Sequence, residues 1–404
     1  MSWEKVKIGD CCEITSSKRI FFSEYVEHGV PFYRSKEIIE SSNGQAISEP
    51  LFIRQEKYDE ISRNFGVPQP GDMLLTSVGT IGVPYVVKKD DYFYFKDGNL
   101  TWFRKFGDKL ISRYLYYWVR SSEGQGVLNN TTIGSSQKAL TIASLKGLEI
   151  PCPPIATQQR IVDILAGYDA LIENNQKQIK LLEEAARRLY KEWFVDLRFP
   201  GHENTPIVDG VPEGWHLSTV GECSVLLRRG ISPKYAEDGP SIVINQKCIR
   251  QSVMDLSEAR KQEKPFAAEM NLMDSDTVIC STGAGTLGRV GQVFGEYPHT
   301  TFDSHVTLVR ASDAIGKQYL YQFLKAKQDY LQGMGKGSTN QLELSRGTIQ
   351  ELPILVPYDN IQRVFEQQMQ PIHDKITALT KQIKLLCEAR DSLLPKLMNG
   401  EIEV

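Results

Sequence analysis

Two stretches of this chain combine glycines with hydroxyl-bearing side chains in a way that could cradle a phosphate or hold side chains against a ligand. They are MLLTSVGTIG, residues 73–82, and TVICSTGAGTLG, residues 277–288. The second matches GxGxxG over Gly283–Gly288, directly after a strand-like run. A dinucleotide-binding loop must open a helix at its third glycine, so that the helix N-terminus meets the pyrophosphate. Here the chain continues as RVGQVFGEY after Gly288 and VPYVV after Gly82, both alternating and strand-like. Both stretches therefore read as tight glycine hairpins. No Ser-His-Asp order, paired-carboxylate spacing, P-loop or (N/D)PP(Y/F) tetrapeptide of a methyltransferase occurs, so catalysis finds no support. The seven cysteines (Cys11, Cys12, Cys152, Cys223, Cys248, Cys280 and Cys387) form no CxxC pair, and the six histidines form no HExxH. Neither a disulfide framework nor a metal site is expected.

These stretches recur because the whole chain is written twice. KQIKLL stands at 177–182 and again at 381–386. Around it, Gln159-Arg160 matches Gln362-Arg363, and GSSQKALTIASLKGLEIPCPP (134–154) matches GSTNQLELSRGTIQELPILVP (337–357). Near the start of each copy, Trp3 with Ile8-Gly9-Asp10 matches Trp215 with Val220-Gly221-Glu222. An ordered series of this kind marks a tandem repeat. Each copy is a strand-rich globular part followed by a long helix. Residues 40–70 have no good counterpart in 251–273, so the ends of the copies are alike and the middles differ.

The helices that must position the globular parts carry a heptad seam. From Ile161 it runs through Leu165, Tyr168, Ile172, Asn175, Ile179, Leu182, Ala186 and Leu189 to Trp193. In the second copy it runs through Met369, Ile372, Ile376, Leu379, Ile383, Leu386, Arg390 and Leu393 to Leu397. Steps of three and four without a break predict two helices that pack on each other. Each follows a proline-rich stop, Pro151–Pro154 and Pro353–Pro357, which suits a helix start. Asn175 and Arg390 interrupt the seam; either they set register or their side chains snorkel out. The stretch from Ile161 to Trp193 predicts a helix about 50 Å long.

Composition bounds the rest. The 404 residues are too many for one core. No apolar run is long enough to span a bilayer and the start is not of signal-peptide type, so a cytoplasmic protein without membrane contact is expected. The net charge of -3, from 47 basic and 50 acidic residues, argues mildly against DNA binding, because phosphate neutralisation usually dominates affinity. Two function classes remain open on the residues alone. One is a two-headed reader of DNA, the other a coiled-coil scaffold that binds only protein.

The ordered series of motifs resembles the specificity subunit of type I restriction-modification systems. The series is Trp-x-x-V-x-I-G-D at the start, VPFYRSK (30–36), GDMLLTSVGTIG (71–82), GSSQKAL (134–140) and IPCPPxxxQQRIV before the first long helix. It returns as PEGW (212–215), INQK (244–247), CSTGAGTLG (280–288), GSTNQ (337–341) and a closing LMNGEI. The resemblance implies an α+β fold with two strand-rich target recognition domains in tandem, at 1–153 and 200–357. Long spacer helices at 154–199 and 358–404 would form an antiparallel coiled coil. It implies a non-catalytic subunit that reads a bipartite, asymmetric site in double-stranded DNA. Two methylation subunits and the restriction and translocase subunits would dock on it and carry S-adenosylmethionine, ATP and Mg, with no cofactor bound by this chain.

The candidate DNA contacts are the polar side chains of the repeated motifs. In the first copy these are Arg34, Ser35, Lys36, Thr76, Ser77, Thr80, Ser135, Ser136, Gln137 and Lys138. In the second they are Asn245, Gln246, Lys247, Ser281, Thr282, Thr286, Arg289, Ser338, Thr339, Asn340 and Gln341. Arg and Lys suit guanine O6 and N7, while Asn and Gln suit adenine N6 and N7. Against this, Ser and Thr beside turn glycines often just satisfy backbone groups. Bases could instead be read where the copies differ, as at Lys18-Arg19 or Arg228-Arg229.

Overall fold

The structure, a computed structural model, describes residues 3–44, 47–134, 138–249, 253–283, 285–335 and 342–404. Close packing divides them into two units. One takes residues up to Asn174 together with Lys384–Val404, and the other takes Asn175–Ile383. Four helices position the rest: α1 (Ser112–Arg120), α2 (Ile155–Tyr190), α3 (Lys317–Ala326) and α4 (Asp359–Met398). A five-residue π turn, Lys191–Val195, extends α2. Among the described residues no helix is long and apolar enough to cross a membrane.

In the first unit, β1 (Glu13–Thr15), β2 (Met73–Thr76), β3 (Pro84–Val86) and β4 (Leu100–Arg104) form an antiparallel sheet in the order β1-β4-β2-β3. Strand alternation explains why MLLT is buried on both faces. Met73 and Leu75 join a core with Tyr114, Leu115 and Trp118 of α1, whereas Leu74 packs in a separate cluster with Tyr85, Phe95 and Trp102. Each fully buried side chain of this size contributes roughly 1.5–3 kcal/mol. A second sheet lies in the order Tyr25–Val26, Phe52–Ile53, Val30–Tyr33, Tyr94–Phe95, its last pair parallel.

The second unit repeats the plan. Strands β5 (Ser224–Arg229), β6 (Thr277–Cys280), β7 (Val290–Gln292) and β8 (Val306–Ala311) take the order β5-β8-β6-β7. The parallel pair returns between Ser241–Ile244 and Thr300–Phe302. The turn before the second strand of each sheet is closed by the same backbone-to-carboxylate bond, with a different side-chain partner in each copy. The Asp72 carboxylate accepts the Gln69 N–H (2.9 Å) and the Trp102 indole N–H (2.8 Å), and Asp276 accepts the Met273 N–H (2.8 Å) and the Arg310 guanidinium (2.7 Å). The middles of the copies do diverge. The first has an eleven-residue helix at Gln55–Phe65, and the second has short 3-10 turns at Leu256–Glu258 and Ala268–Met270 around the strand Arg260–Gln262.

Both glycine stretches are hairpins: β2 pairs antiparallel with β3, and β6 with β7. Gly82 and Gly288 adopt left-handed backbone (φ 82° and 74°), which only glycine takes without strain. At Gly288 a Cβ would also stand 2.6 Å from the backbone nitrogen of Gln332. These glycines serve turns, and no helix opens at either one.

The start of each long helix is tied to its own head by a repeated glutamine. Gln158 donates to the Lys109 and Pro153 carbonyls, both at 2.8 Å, and accepts the Ile111 N–H at 2.9 Å. Gln362 donates to the Pro357 carbonyl (2.7 Å) and accepts the Gly316 N–H (2.9 Å). Both are buried. Along the seam the pairing is antiparallel. In the first unit Leu165 shares a core with Leu394 and Leu397, and Asp169 meets Arg390 at 2.7 Å. In that unit Ile172 is buried and Leu386 half-buried. In the second unit Asn175 donates to Gln382 at 3.3 Å, Ile179 clusters with Ile376, Leu379, Leu182 and Ile383, and the Trp193 ring lies 5.7 Å from that of Phe365. The polar interruptions are thus inward and partnered across the helix pair, not snorkelling.

Candidate nucleic-acid interface

In the first copy three motifs far apart in sequence converge on one loop, Asp97–Leu100. The Asn99 carbonyl accepts the Ser77 N–H (2.8 Å) and the Ser35 hydroxyl (3.4 Å). The Ser77 carbonyl in turn accepts the Leu140 N–H (2.9 Å), and Val78 bridges Ala139. The stretches around residues 35, 77 and 139 are therefore neighbours. The second copy repeats the device around His305: its carbonyl accepts the Ser281 N–H (2.8 Å), the Ser281 carbonyl accepts the Leu344 N–H (2.8 Å), and Thr282 bridges Glu343. The Gln246 carbonyl accepts the Cys280 thiol (3.8 Å), joining the third motif.

The convergence sorts the candidate residues. Thr76, Ser77 and Ser281 are buried, with relative exposures of 0, 2 and 0%. Thr76 accepts the Val83 N–H (2.9 Å); the Ser77 hydroxyl shares a hydrogen bond with Thr101 (2.7 Å) and Ser281 with Thr307 (2.6 Å). These three hydroxyls brace the sheet and present nothing to a ligand. Thr286 donates to the Thr282 carbonyl (3.0 Å), and Thr282 pairs with the His305 ring (2.6 Å). Arg34 is held by Glu37 at 2.6 Å and Lys36 by Glu49 at 2.9 Å. Asn245 accepts the Lys247 N–H and donates to the Glu258 carbonyl, both at 2.8 Å, so its amide is committed to a turn. Thr80, Lys138 and Lys247 are exposed, and Gln246 and Arg289 are half-buried. Ser135, Ser136, Gln137, Ser338, Thr339, Asn340 and Gln341 lie outside the described residues.

Next to the Asp97–Leu100 loop runs a basic, aromatic-lined cleft of about 460 Å³ that residue spacing does not reveal. Lys18, Arg63, Arg104 and Lys105 line it with Phe65, Tyr94 and Trp102. The Lys18 ammonium lies 4.2 Å from the centre of the Phe65 ring and the Arg104 guanidinium 4.4 Å from that of Trp102. Salt bridges from Arg104 (2.7 Å) and Lys105 (2.9 Å) hold the Glu13 carboxyl down at about 2. Arg19 is paired with Asp97 at 2.8 Å. Cations held beside aromatic faces suit a nucleic-acid backbone. The only sequence signal for this cleft is the pair Lys18-Arg19; Arg63, Arg104 and Lys105 are brought to it by the β1–β4 pairing and by the helix Gln55–Phe65. In the second copy Arg228 pairs with Glu269 (3.0 Å) and Arg229 with Glu343, beside the Thr282 bridge.

Comparison with known proteins places this architecture. The family model for the type I restriction modification DNA specificity domain matches residues 1–184 and 212–388. Among curated proteins, the MjaIX specificity subunit of a type I restriction enzyme from Methanocaldococcus jannaschii is 27% identical, over 100% of this chain and 94% of its own length. The HindI specificity subunit from Haemophilus influenzae is 25% identical, over 65% of this chain and 71% of its own. Among solved structures, the S subunit of a type I restriction-modification system from M. genitalium superposes with a TM-score of 0.54 at 19% identity, covering 98% of this chain and 96% of that one. That superposition speaks for the fold.

Proposed function

The chain belongs to the type I restriction-modification DNA specificity family, and from that premise we propose that it reads a bipartite, asymmetric site in double-stranded DNA, one half-site per copy. The observation that carries this reading is the repeated convergence at Asn99 and His305. One framework of turns and carbonyls occurs twice, while side chains mounted on it differ: Arg34 against Asn245, Ser35 against Gln246, Lys138 against Leu342. Two equivalent scaffolds carrying unlike polar groups are what an asymmetric site requires. The Lys18 cleft would supply backbone contacts in the first copy.

In this reading the chain is not itself an enzyme and docks methylation and restriction subunits, which bring S-adenosylmethionine, ATP and Mg. Support for docking comes from the helices. Leu181 and Leu385, equivalent residues of the repeated KQIKLL, are 70% and 55% exposed. Large exposed leucines on the outer face of paired helices suit apolar association, and their repetition suits two copies of one partner.

The test is sequencing of methylated adenines in cells that carry the whole system, with residues 1–153 exchanged for the equivalent block of a relative. One half of the methylated sequence should change and the other remain. A protein-only scaffold would leave both halves as they were.

A further inference from the structure

The repeat breaks down at one buried place. Helix α1 reads YLYYWVR over residues 114–120 and α3 reads YLYQFLK over 319–325. Both start alike: Tyr114 donates to the Pro151 carbonyl (3.0 Å), and Tyr319 to the Leu355 carbonyl (2.5 Å). In the first copy Tyr117 donates to Asp169 (2.7 Å), Arg390 meets the other oxygen of that carboxylate (2.7 Å), and Arg120 stands 3.7 Å away. The space between helix and helix pair is filled. In the second copy the corresponding residues are Gln322 for Tyr117, His373 for Asp169, Ala186 for Arg390 and Lys325 for Arg120. A cavity of about 270 Å³ takes the place of the network, lined by Ala186, Gln322, His373 and Lys325.

Two of the polar groups there are spent elsewhere. His373 pairs with Asp274 (2.9 Å) and Gln318 (3.1 Å), and Lys325 donates to the Val290 carbonyl and Gln328, both at 3.0 Å. The amides are not spent. Gln292, which replaces Val86 of the first copy, is 1% exposed with both its nitrogen and its oxygen unpaired. Gln322 is 6% exposed, and its side chain makes no hydrogen bond among the described residues. Buried amides are normally satisfied. The fully buried, unpaired amide of Gln292, with the Gln322 amide reachable beside it on the same cavity, calls for an occupant that offers a donor and an acceptor side by side.

We infer that this cavity binds a small planar heterocycle of the nucleobase or nucleoside class. A carboxylate or a simple cation would meet only half of each amide, whereas a base edge meets both, as in the pairing of glutamine with adenine. Apolar walls from Phe294, Met369 and Ile372 offer flat contact, and the Phe294 ring is itself fixed by stacking on His373 at 4.9 Å. The volume lies just under the usual range for ligand pockets, roughly 300–1,000 Å³, which admits one ring system with its sugar. Glu183 and Glu184 line the cavity together with Lys180, Arg187 and Lys325, so its charges are mixed and the base edge is what the buried amide selects.

Saturation-transfer NMR on the full chain with adenosine, guanosine, cytidine and uridine tests this. At least one nucleoside should receive saturation through its base protons, with Kd between about 1 μM and 1 mM. The signal should fall at least tenfold in Ala186→Arg, which restores the filling side chain of the first copy, and in Gln322→Leu, which keeps the bulk and removes the amide. Circular dichroism establishes that each variant is folded, and Gln322→Leu decides the matter if Ala186→Arg does not fold. Absence of transfer to all four bases overturns the inference. So does a signal unchanged in folded Gln322→Leu, which would place the nucleoside elsewhere on the chain.

Discussion

Gln158 and Gln362 illustrate how a repeated polar residue can be structural. Each is buried at the first turn of a long helix and closes hydrogen bonds to the loop that precedes α1 or α3. Replacing either with leucine keeps the volume but leaves carbonyls and an N–H unpaired, a cost of about 1–3 kcal/mol. We expect Gln158→Leu and Gln362→Leu each to lower the thermal midpoint in calorimetry while the methylated DNA sequence stays as in the wild type. A changed sequence with an unchanged midpoint would make these residues readers. The same distinction applies to the hydroxyls: Ser77 and Ser281 are framework, because their partners Thr101 and Thr307 lie inside the sheet. Residues whose side chains reach solvent, such as Thr80 and Lys138, are the ones that the proposed reading leaves for contact with DNA.

At the scale of elements, the antiparallel pairing of α2 and α4 sets register through unlike contacts. Asn175 meets Gln382 in one unit, and Arg390 meets Asp169 in the other. Burial pushes the Arg390 guanidinium toward losing its charge, yet hydrogen bonds with Asp391 and Asp169 outweigh that and raise its pKa further. A slip of the pair by one heptad would separate both contacts and leave a half-buried cation unpaired, which is costly. Register should therefore move only when both helices lengthen together. Inserting seven residues after Ala185 and seven more after Pro371, the level that faces Ala185 when Asn175 meets Gln382, adds roughly 10 Å of helix. The expected outcome is a longer unread gap in the methylated site, by up to about three base pairs, with both half-sites kept. The matching rotation of the heads about the duplex can reduce the shift. Altered half-sites with an unchanged gap would contradict a spacer role.

For the molecule as a whole, a net charge of -3 looks poorly suited to DNA, yet charge acts locally. Lys18, Arg63, Arg104 and Lys105 gather at one cleft although the chain's total is slightly negative. A reader that works inside an assembly can leave part of the phosphate neutralisation to its partners. The equivalent exposed leucines, Leu181 and Leu385, lead to a count. Native mass spectrometry with the methylation subunit should give one copy of this chain with two of the partner, and Leu181→Glu should reduce that to one. A single partner copy bound to the unaltered chain would rule out two equivalent docking surfaces.

Repetition and periodicity are local properties, and that is why they could be read from residue order. The tandem copies, the two heptad helices, their proline-bounded starts and the two glycine hairpins all rest on spacing within a few turns or strands. Which polar residues face outward is not local. Thr76 and Thr80 sit four positions apart in one motif, yet one is buried in the sheet and the other exposed, because β4 covers the first and a turn carries the second. The same holds for the seam: whether Asn175 and Arg390 turned inward depended on finding Gln382 and Asp169 more than 200 positions away. The meeting of three motifs around Ser77 and Asn99 and again around Cys280 and Ser281, the cleft around Lys18, and the cavity where Ala186 stands in for Arg390 were decided by tertiary packing, since each is made of residues that only the fold brings within contact distance.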